Sequence, residues 1–136
     1  MPFPSTELKK VTEAHLRKAK KKLEAAKKLF QDGFYEDAVS RAYYAMYHAA
    51  RACLALKGSS PKTHAGVISE FGRLFVATGE VDIAFGKALS IAKEDREDSD
   101  YEVLTEISNE EAEKVLNEAE VFLRKIEELL GKNDHL

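Results

Sequence analysis

Apolar positions recur every three to four residues along almost the whole chain, a period that belongs to helices and not to strands. Residues 6–31 set Leu8, Val11, Leu16, Ala19, Leu23, Ala26 and Phe30 on one stripe, with His15 at its edge and lysines over the other face. Asp32-Gly33 follows as a stop. A second helix runs from near Tyr35 to about Leu56 and ends at Lys57 and Gly58, a basic residue and a glycine of the kind helix C-termini favour. Ser59-Ser60-Pro61 then offers a turn, an N-cap and a first-turn proline for a third helix, which carries Val67, Ile68, Phe71, Leu74 and Phe75 as far as Gly79. A fourth starts at about Val81, with Ile83, Ala84, Ala88, Leu89 and Ile91, and gives way to the acidic segment KEDREDSDYEVLTEIS, read as a loop. Ser108 with Glu111 three residues later is a capping-box pattern. It opens a fifth helix striped by Ala112, Val115, Leu116, Ala119, Phe122, Leu123, Ile126 and Leu130, which is expected to end at Gly131 with the last five residues frayed.

No strand-like alternation, glycine-rich phosphate loop or internal repeat interrupts the pattern. The expected fold is all-α, an up-and-down bundle of about five helices in one domain over residues 1–136, with its core at about 8–130. Helix two is apolar on nearly every side, so it is expected at the centre with the others around it. Alanines at 42, 45, 49, 50, 52 and 55 let neighbouring backbones approach closely and also favour the helix itself.

Charge narrows the function classes. A charged fraction of 33% beside 44% apolar residues is globular in character, and a net charge of -3 gives no global attraction to nucleic acid or membranes. No apolar run approaches the ~20 residues of a membrane span and the first residues lack the features of a secretory signal, so the expected location is cytoplasmic. The single cysteine, Cys53, has no internal disulfide partner and reads as a small core residue. No His, Glu or Cys cluster has metal-ligand spacing, so neither metal nor cofactor is expected.

Helix two nevertheless carries polar groups at regular spacing. Arg41 and His48 are seven apart and fall within roughly 20° of each other on the helical wheel, with Asp37, Tyr44 and Arg51 on or beside that face. Two readings stay open. In one, Arg41 pairs with Asp37, the tyrosines bury their rings and hydrogen-bond outward, and His48 satisfies a buried acceptor. In the other, the same strip supplies phosphate donors and a general acid or base. His64, expected near the start of helix three beside Lys62 and Thr63, is a candidate anion ligand kept neutral by the helix dipole. The lysine-rich face of helix one (Lys9, Lys10, Arg17, Lys18, Lys20, Lys21, Lys22, Lys27 and Lys28) either binds RNA phosphates or is solvated and paired with the acidic last helix.

Three stretches in order, SRAYYAMYHAARACL, KTHAGVISEF and REDSDYE, followed by an amphipathic last helix, resemble the HEPN-domain proteins over roughly residues 8–130, in particular their small stand-alone archaeal and bacterial members. The resemblance implies a helical bundle, a homodimer, and association with a minimal nucleotidyltransferase in a toxin–antitoxin-type pair. Some members of that family are metal-independent RNases. Their motif is an Arg, four to six residues, then a His, with a Tyr nearby, late in the bundle. Arg41 and His48 satisfy the bare spacing on helix two. The late position is matched by Arg96 to Tyr101, with Asp100 where a His is expected. Metal-free RNA cleavage needs a base, an acid and a cation; Arg96 can be the cation, whereas an ionised Asp100 adds negative charge beside a phosphate.

The sequence therefore points first to a homodimeric module that binds a nucleotide, RNA or a nucleotidyltransferase partner, with Arg41, Tyr44, His48, Lys62, His64, Arg96, Asp100 and Tyr101 as ligand-binding candidates. An endoribonuclease using Arg41, His48 and Arg96 is the alternative, and a scaffold without a ligand the third reading. An ion pair between Arg96 and Asp100 that braces the acidic loop is the structural expectation for the late motif.

Overall fold

A computed structural model describes residues 6–101 and 106–134, except for the side chains of Ser99, Tyr101 and residues 132–134. Five α-helices follow in order: α1 (Thr6–Gln31), α2 (Tyr35–Leu56), α3 (His64–Phe71), α4 (Ile83–Tyr101) and α5 (Asn109–Asp134), with a π-helical turn at Gly72–Val76. The described residues contain no strand, and none of their helices is long and apolar enough to cross a membrane.

Glycine stops shape the first two connections. Gly33 and Gly58 sit at φ +84° and +75°. At each, the glycine N–H and that of the following residue turn back to the last carbonyls: Gly33 to Phe30, Phe34 to Leu29, Gly58 to Ala55 and Ser59 to Leu54, the Schellman arrangement. A side chain at either glycine would strain the left-handed backbone that makes this turn.

Several boundaries differ from the sequence expectation, among them the end of α5, expected at Gly131. Helix α3 starts at His64, not at Pro61, because Thr63 adopts an extended backbone and its Oγ1 accepts the Gly66 N–H at 2.9 Å, while the Ser59 hydroxyl is occupied by Glu70. The same cap explains Gly66, where a Cβ would lie 2.9 Å from Thr63 Oγ1. The stretch expected as one helix to Gly79 widens after Phe71 into a π turn closed by Ala77 N–H on the Gly72 carbonyl. This lets the buried rings of Phe71 and Phe75 stack at 5.6 Å. Most consequential, the acidic segment is helical as far as Tyr101. Ion pairs one turn apart, Lys93 with Glu97 and Arg96 with Asp100, tie its charges along the helix. Residues 102–105 of the expected loop lie outside the described residues. Helix α4 is capped by Asp82, whose carboxylate accepts the Ala84 N–H, and α5 continues through Gly131 to Asp134.

Helix α2 is the centre of the bundle and packs against α1, α3, α4 and α5. Ala38, Ala42, Ala45, Ala49, Ala50 and Ala52 are fully buried, as small residues must be where helices press in from several sides. Larger side chains fill the spaces they leave: Tyr43, Met46 and Leu54 from α2, Phe71, Phe75, Leu89, Phe122 and Ile126 from the others. Cys53 belongs to this core; it bonds the Ala50 carbonyl, and burial pushes its thiol far above the usual range. A thiol held protonated in this way is no nucleophile.

At the start of α5 the Ser108 side chain caps the helix, as the capping-box pattern predicts, and the Glu111 carboxylate turns back to its hydroxyl. Ser108 Oγ accepts the Glu111 N–H at 3.1 Å, and its hydroxyl meets the Glu111 carboxylate at 3.1 Å. Replacing Ser108 with Ala is expected to cost about 1 kcal/mol in a denaturant titration, with Ser108→Asp restoring most of it.

Candidate functional site

Polar groups from three helices meet where the middle of α2 faces the start of α3 and the second half of α4. Tyr43, Tyr44 and Tyr47 of α2 share the α3 side of the helix, and His64 lies among them. The His64 ring stacks on Tyr47 with centroids 4.3 Å apart and planes 19° from parallel, and it meets the edge of Tyr44 at 5.9 Å. Tyr43 Oη lies 2.6 Å from His64 Nδ1.

The protonation state of this pair follows from its surroundings. Burial raises the Tyr43 phenol well above its ordinary range, so it stays protonated. Burial, and then the nearby Arg96, Lys93 and Arg51 charges, lower the His64 pKa, so the imidazole is neutral at pH 7. Tyr43 therefore donates, Nδ1 accepts, and the ring proton resides on Nε2 as a donor.

Arg96 closes the site from α4. Its guanidinium donates to Tyr44 Oη at 2.9 Å and stands 5.6 and 5.4 Å from the centroids of the Tyr43 and Tyr44 rings. The expected contact with Asp100 is present at 3.5 Å, within a helix and not across a loop. Asp100 thus moderates the cation without covering it: the Arg96 side chain keeps 19% of its surface and that of Asp100 41%.

On the other side of Tyr47, His48 reaches α1. Its Nδ1 is 3.1 Å from that of His15, close enough for one imidazole to donate to the other. Burial, the His15 ring and the Lys18, Arg51 and Lys22 charges lower the His48 pKa to about 4, and burial with Arg51 and Lys18 lowers that of His15. Arg51 lies over the Tyr47 ring at 5.7 Å.

Of the sequence candidates, Tyr44, His64, Arg96 and Asp100 come together in one cluster, and His48 joins it through the Tyr47 ring at 5.3 Å. Arg41 is exposed and, among the described residues, does not form the expected pair with Asp37; Lys62 is exposed beside the α3 cap. The side chain of Tyr101 lies outside the described residues. The sequence pattern places His15 at the edge of the α1 stripe and singles out neither Tyr43 nor Tyr47 as a site candidate. Their contribution depends on which α3 and α1 residues face α2, and helical spacing along one element does not contain that. Among the described residues no three His, Cys, Asp or Glu side chains gather as a metal site would require.

Because the folded histidines are less basic than the free side chain, the unfolded chain takes up more protons below about pH 6.5. Stability is therefore complete above that pH and falls as pH drops toward 4, the value His48 reaches in the fold. Melting temperature followed from pH 7 to 4 is expected to decline, and His48→Gln, which removes one of these titrations, to flatten the decline.

A family model for the HEPN domain matches residues 12–129, which takes in every residue of the cluster. The chain belongs to the HEPN family. Among HEPN relatives, two proteins of Methanocaldococcus jannaschii whose names provisionally class them as toxins are 38% and 39% identical to this chain. The alignments cover 92% and 91% of this chain and 86% and 92% of theirs. A UPF0332 protein of Archaeoglobus fulgidus is 42% identical over 89% of this chain and 96% of its own length. The resemblance in SRAYYAMYHAARACL, KTHAGVISEF and REDSDYE thus reflects membership, and in this chain α2, the start of α3 and the second half of α4 meet through Tyr44, His64 and Arg96 of those stretches.

Proposed function

We propose that this protein is a homodimeric HEPN module that binds a nucleotide through Arg96, Tyr44 and His64, and acts with a minimal nucleotidyltransferase in a toxin–antitoxin-type pair. The observation that supports this reading is the convergence of a guanidinium and a neutral imidazole donor on a wall of tyrosines at the junction of α2, α3 and α4. A guanidinium suits a phosphate because its N–H groups form a planar fork, and Tyr44 holds it in place before any ligand arrives. The His64 Nε2–H adds a second, uncharged donor, and the exposed parts of Tyr44 and His64 give a base or sugar an apolar face. The names of the M. jannaschii relatives favour a toxin-type role. Isothermal titration with nucleoside mono- and triphosphates tests the binding, and co-expression with a neighbouring nucleotidyltransferase followed by sizing tests the pairing. No heat with any nucleotide, together with no co-eluting complex, refutes it.

A second reading, a metal-independent endoribonuclease, draws on one specific feature: His64 is a neutral imidazole within electrostatic reach of the Arg96 cation. A base or acid beside a phosphate-stabilising charge is the minimal equipment for attack by a ribose 2′-hydroxyl. Labelled RNA that stays intact in EDTA, at protein concentrations that saturate binding, excludes this activity.

A further inference from the structure

Helix α1 carries lysines on two sides, and the bundle treats them differently. Lys20 and Lys27 reach α5, where Glu127 and Glu120 neutralise them. Lys18 and Lys22 are three and seven residues beyond His15, on the face of α1 that turns to α2, and neither takes part in an ion pair among the described residues. From α2, Arg51 lies one turn beyond His48 and stands over the Tyr47 ring, again without a carboxylate partner among the described residues.

The antiparallel register of these helices is fixed by Thr12 on the Ala52 carbonyl at 2.9 Å and by His15 on His48. Continued by two turns, it sets the exposed Arg41 opposite Lys22. The α1–α2 seam from Arg51 past Lys18 and Lys22 to Arg41 is therefore cationic throughout. The first carboxylate on the α2 side is Asp37, beyond its far end, while Glu13 and Glu24 of α1 face away from His15 on the helical wheel. The two half-buried histidines in its floor are neutral at pH 7, so they neither add charge nor cancel it. One tyrosine ring, Tyr47, separates this seam from His64, with centroids 5.3 Å from His48 and 4.3 Å from His64.

We infer that the α1–α2 seam is a second phosphate-binding subsite, in which Lys18, Lys22 and Arg51 hold the backbone of a single-stranded oligonucleotide whose neighbouring nucleotide occupies the Arg96 cluster. The assignment rests on the reading of that cluster as a nucleotide site and extends it from one nucleotide to a strand. Like-charged side chains held together without counter-charges form a favourable place for a polyanion, and a cationic track beside aromatic faces is how single strands are held without sequence readout. Single phosphates gain little from the seam, because only a chain reaches both places at once.

Fluorescence anisotropy with labelled single-stranded RNA, from mononucleotide to octanucleotide at several salt concentrations, tests the inference. For the unaltered protein, affinity is expected to rise at least tenfold with length. The double variant K18Q/K22Q is expected to lose that gain and to flatten the salt dependence by roughly 1.4 in log–log slope, as two lost phosphate contacts do, while mononucleotide affinity is unchanged. The control K21Q/K28Q removes the same charge from α1 positions off the seam and should behave as the unaltered protein. Equal losses in both variants, affinity independent of length, or competition by inorganic polyphosphate as strong as that by RNA each overturn the seam. Failure of the cluster reads differently: the mononucleotide then does not bind, while length-dependent binding sensitive to K18Q/K22Q persists.

Discussion

Arg96→Gln is expected to lower nucleotide affinity at least tenfold while leaving the protein folded. A hydrogen bond from a charged group to its partner contributes about 1.5–3 kcal/mol, and each 1.4 kcal/mol is a factor of about ten in binding. The guanidinium is the cation that faces the cluster from α4, donates to Tyr44 and retains exposed surface through which to meet a phosphate. Glutamine keeps a polar side chain of lesser reach but removes the charge and the fork. Arg96→Lys should fall between the two, since a lysine restores charge without the planar geometry. Tyr44→Phe provides the finer test: it removes the oxygen that aims the guanidinium and is expected to weaken binding by a smaller factor at unchanged net charge. Titration calorimetry gives the affinities and circular dichroism confirms the fold; unchanged affinity in Arg96→Gln would remove this residue from the site.

The largest loss of stability is expected from Phe122→Ala. Phe122 is fully buried on α5, with Phe71 at 5.5 Å and Phe85 at 6.3 Å between ring centroids, so it joins α5 to α3 and α4. Truncating a buried phenylalanine costs about 3–5 kcal/mol through lost transfer energy and the cavity left behind. Against a total stability of roughly 5–15 kcal/mol, that is a large part of the whole. A melting curve should shift down by roughly 10–20 °C for a domain of this length. The preceding residue is the control: Val121 is 52% exposed, and Val121→Ala should change stability by less than about 0.5 kcal/mol.

These two substitutions sample what was and was not legible in the chain. Phe122 could be placed in the core from periodicity alone, because the stripe on α5 repeats for several turns and no other pattern competes with it. The limits of α2 were legible for a similar reason: glycines at 33 and 58 adopt left-handed turns that few other residues enter without strain. Arg96 was legible only as part of a motif. Its surroundings were misread, since the acidic density of KEDREDSDY suggested a loop, whereas pairing of Lys93 with Glu97 and Arg96 with Asp100 converts that density into helix-compatible ion pairs. The start of α3 differs from the expected one because Ser59 and Ser60, the hydroxyls read as its cap, are followed three residues on by Thr63, whose side chain offers the same acceptor. Which one caps depends on where the Ser59 hydroxyl finds another partner, and it finds Glu70.

What the sequence determined by itself is the all-α bundle, the central place of α2 and the family. The first two follow from local spacing and residue type, which act over a few turns of helix, and the family from the resemblance carried by three stretches in order. The composition of the site was decided only by tertiary structure. Tyr43 becomes a polar partner because its hydroxyl meets Nδ1 of His64 on α3, Tyr47 becomes the face on which that imidazole stacks, and His48 is held neutral by burial first and then by His15 of α1 beside it. Burial sets the ionisation of these groups, and burial is a property of how five helices pack, not of any one of them.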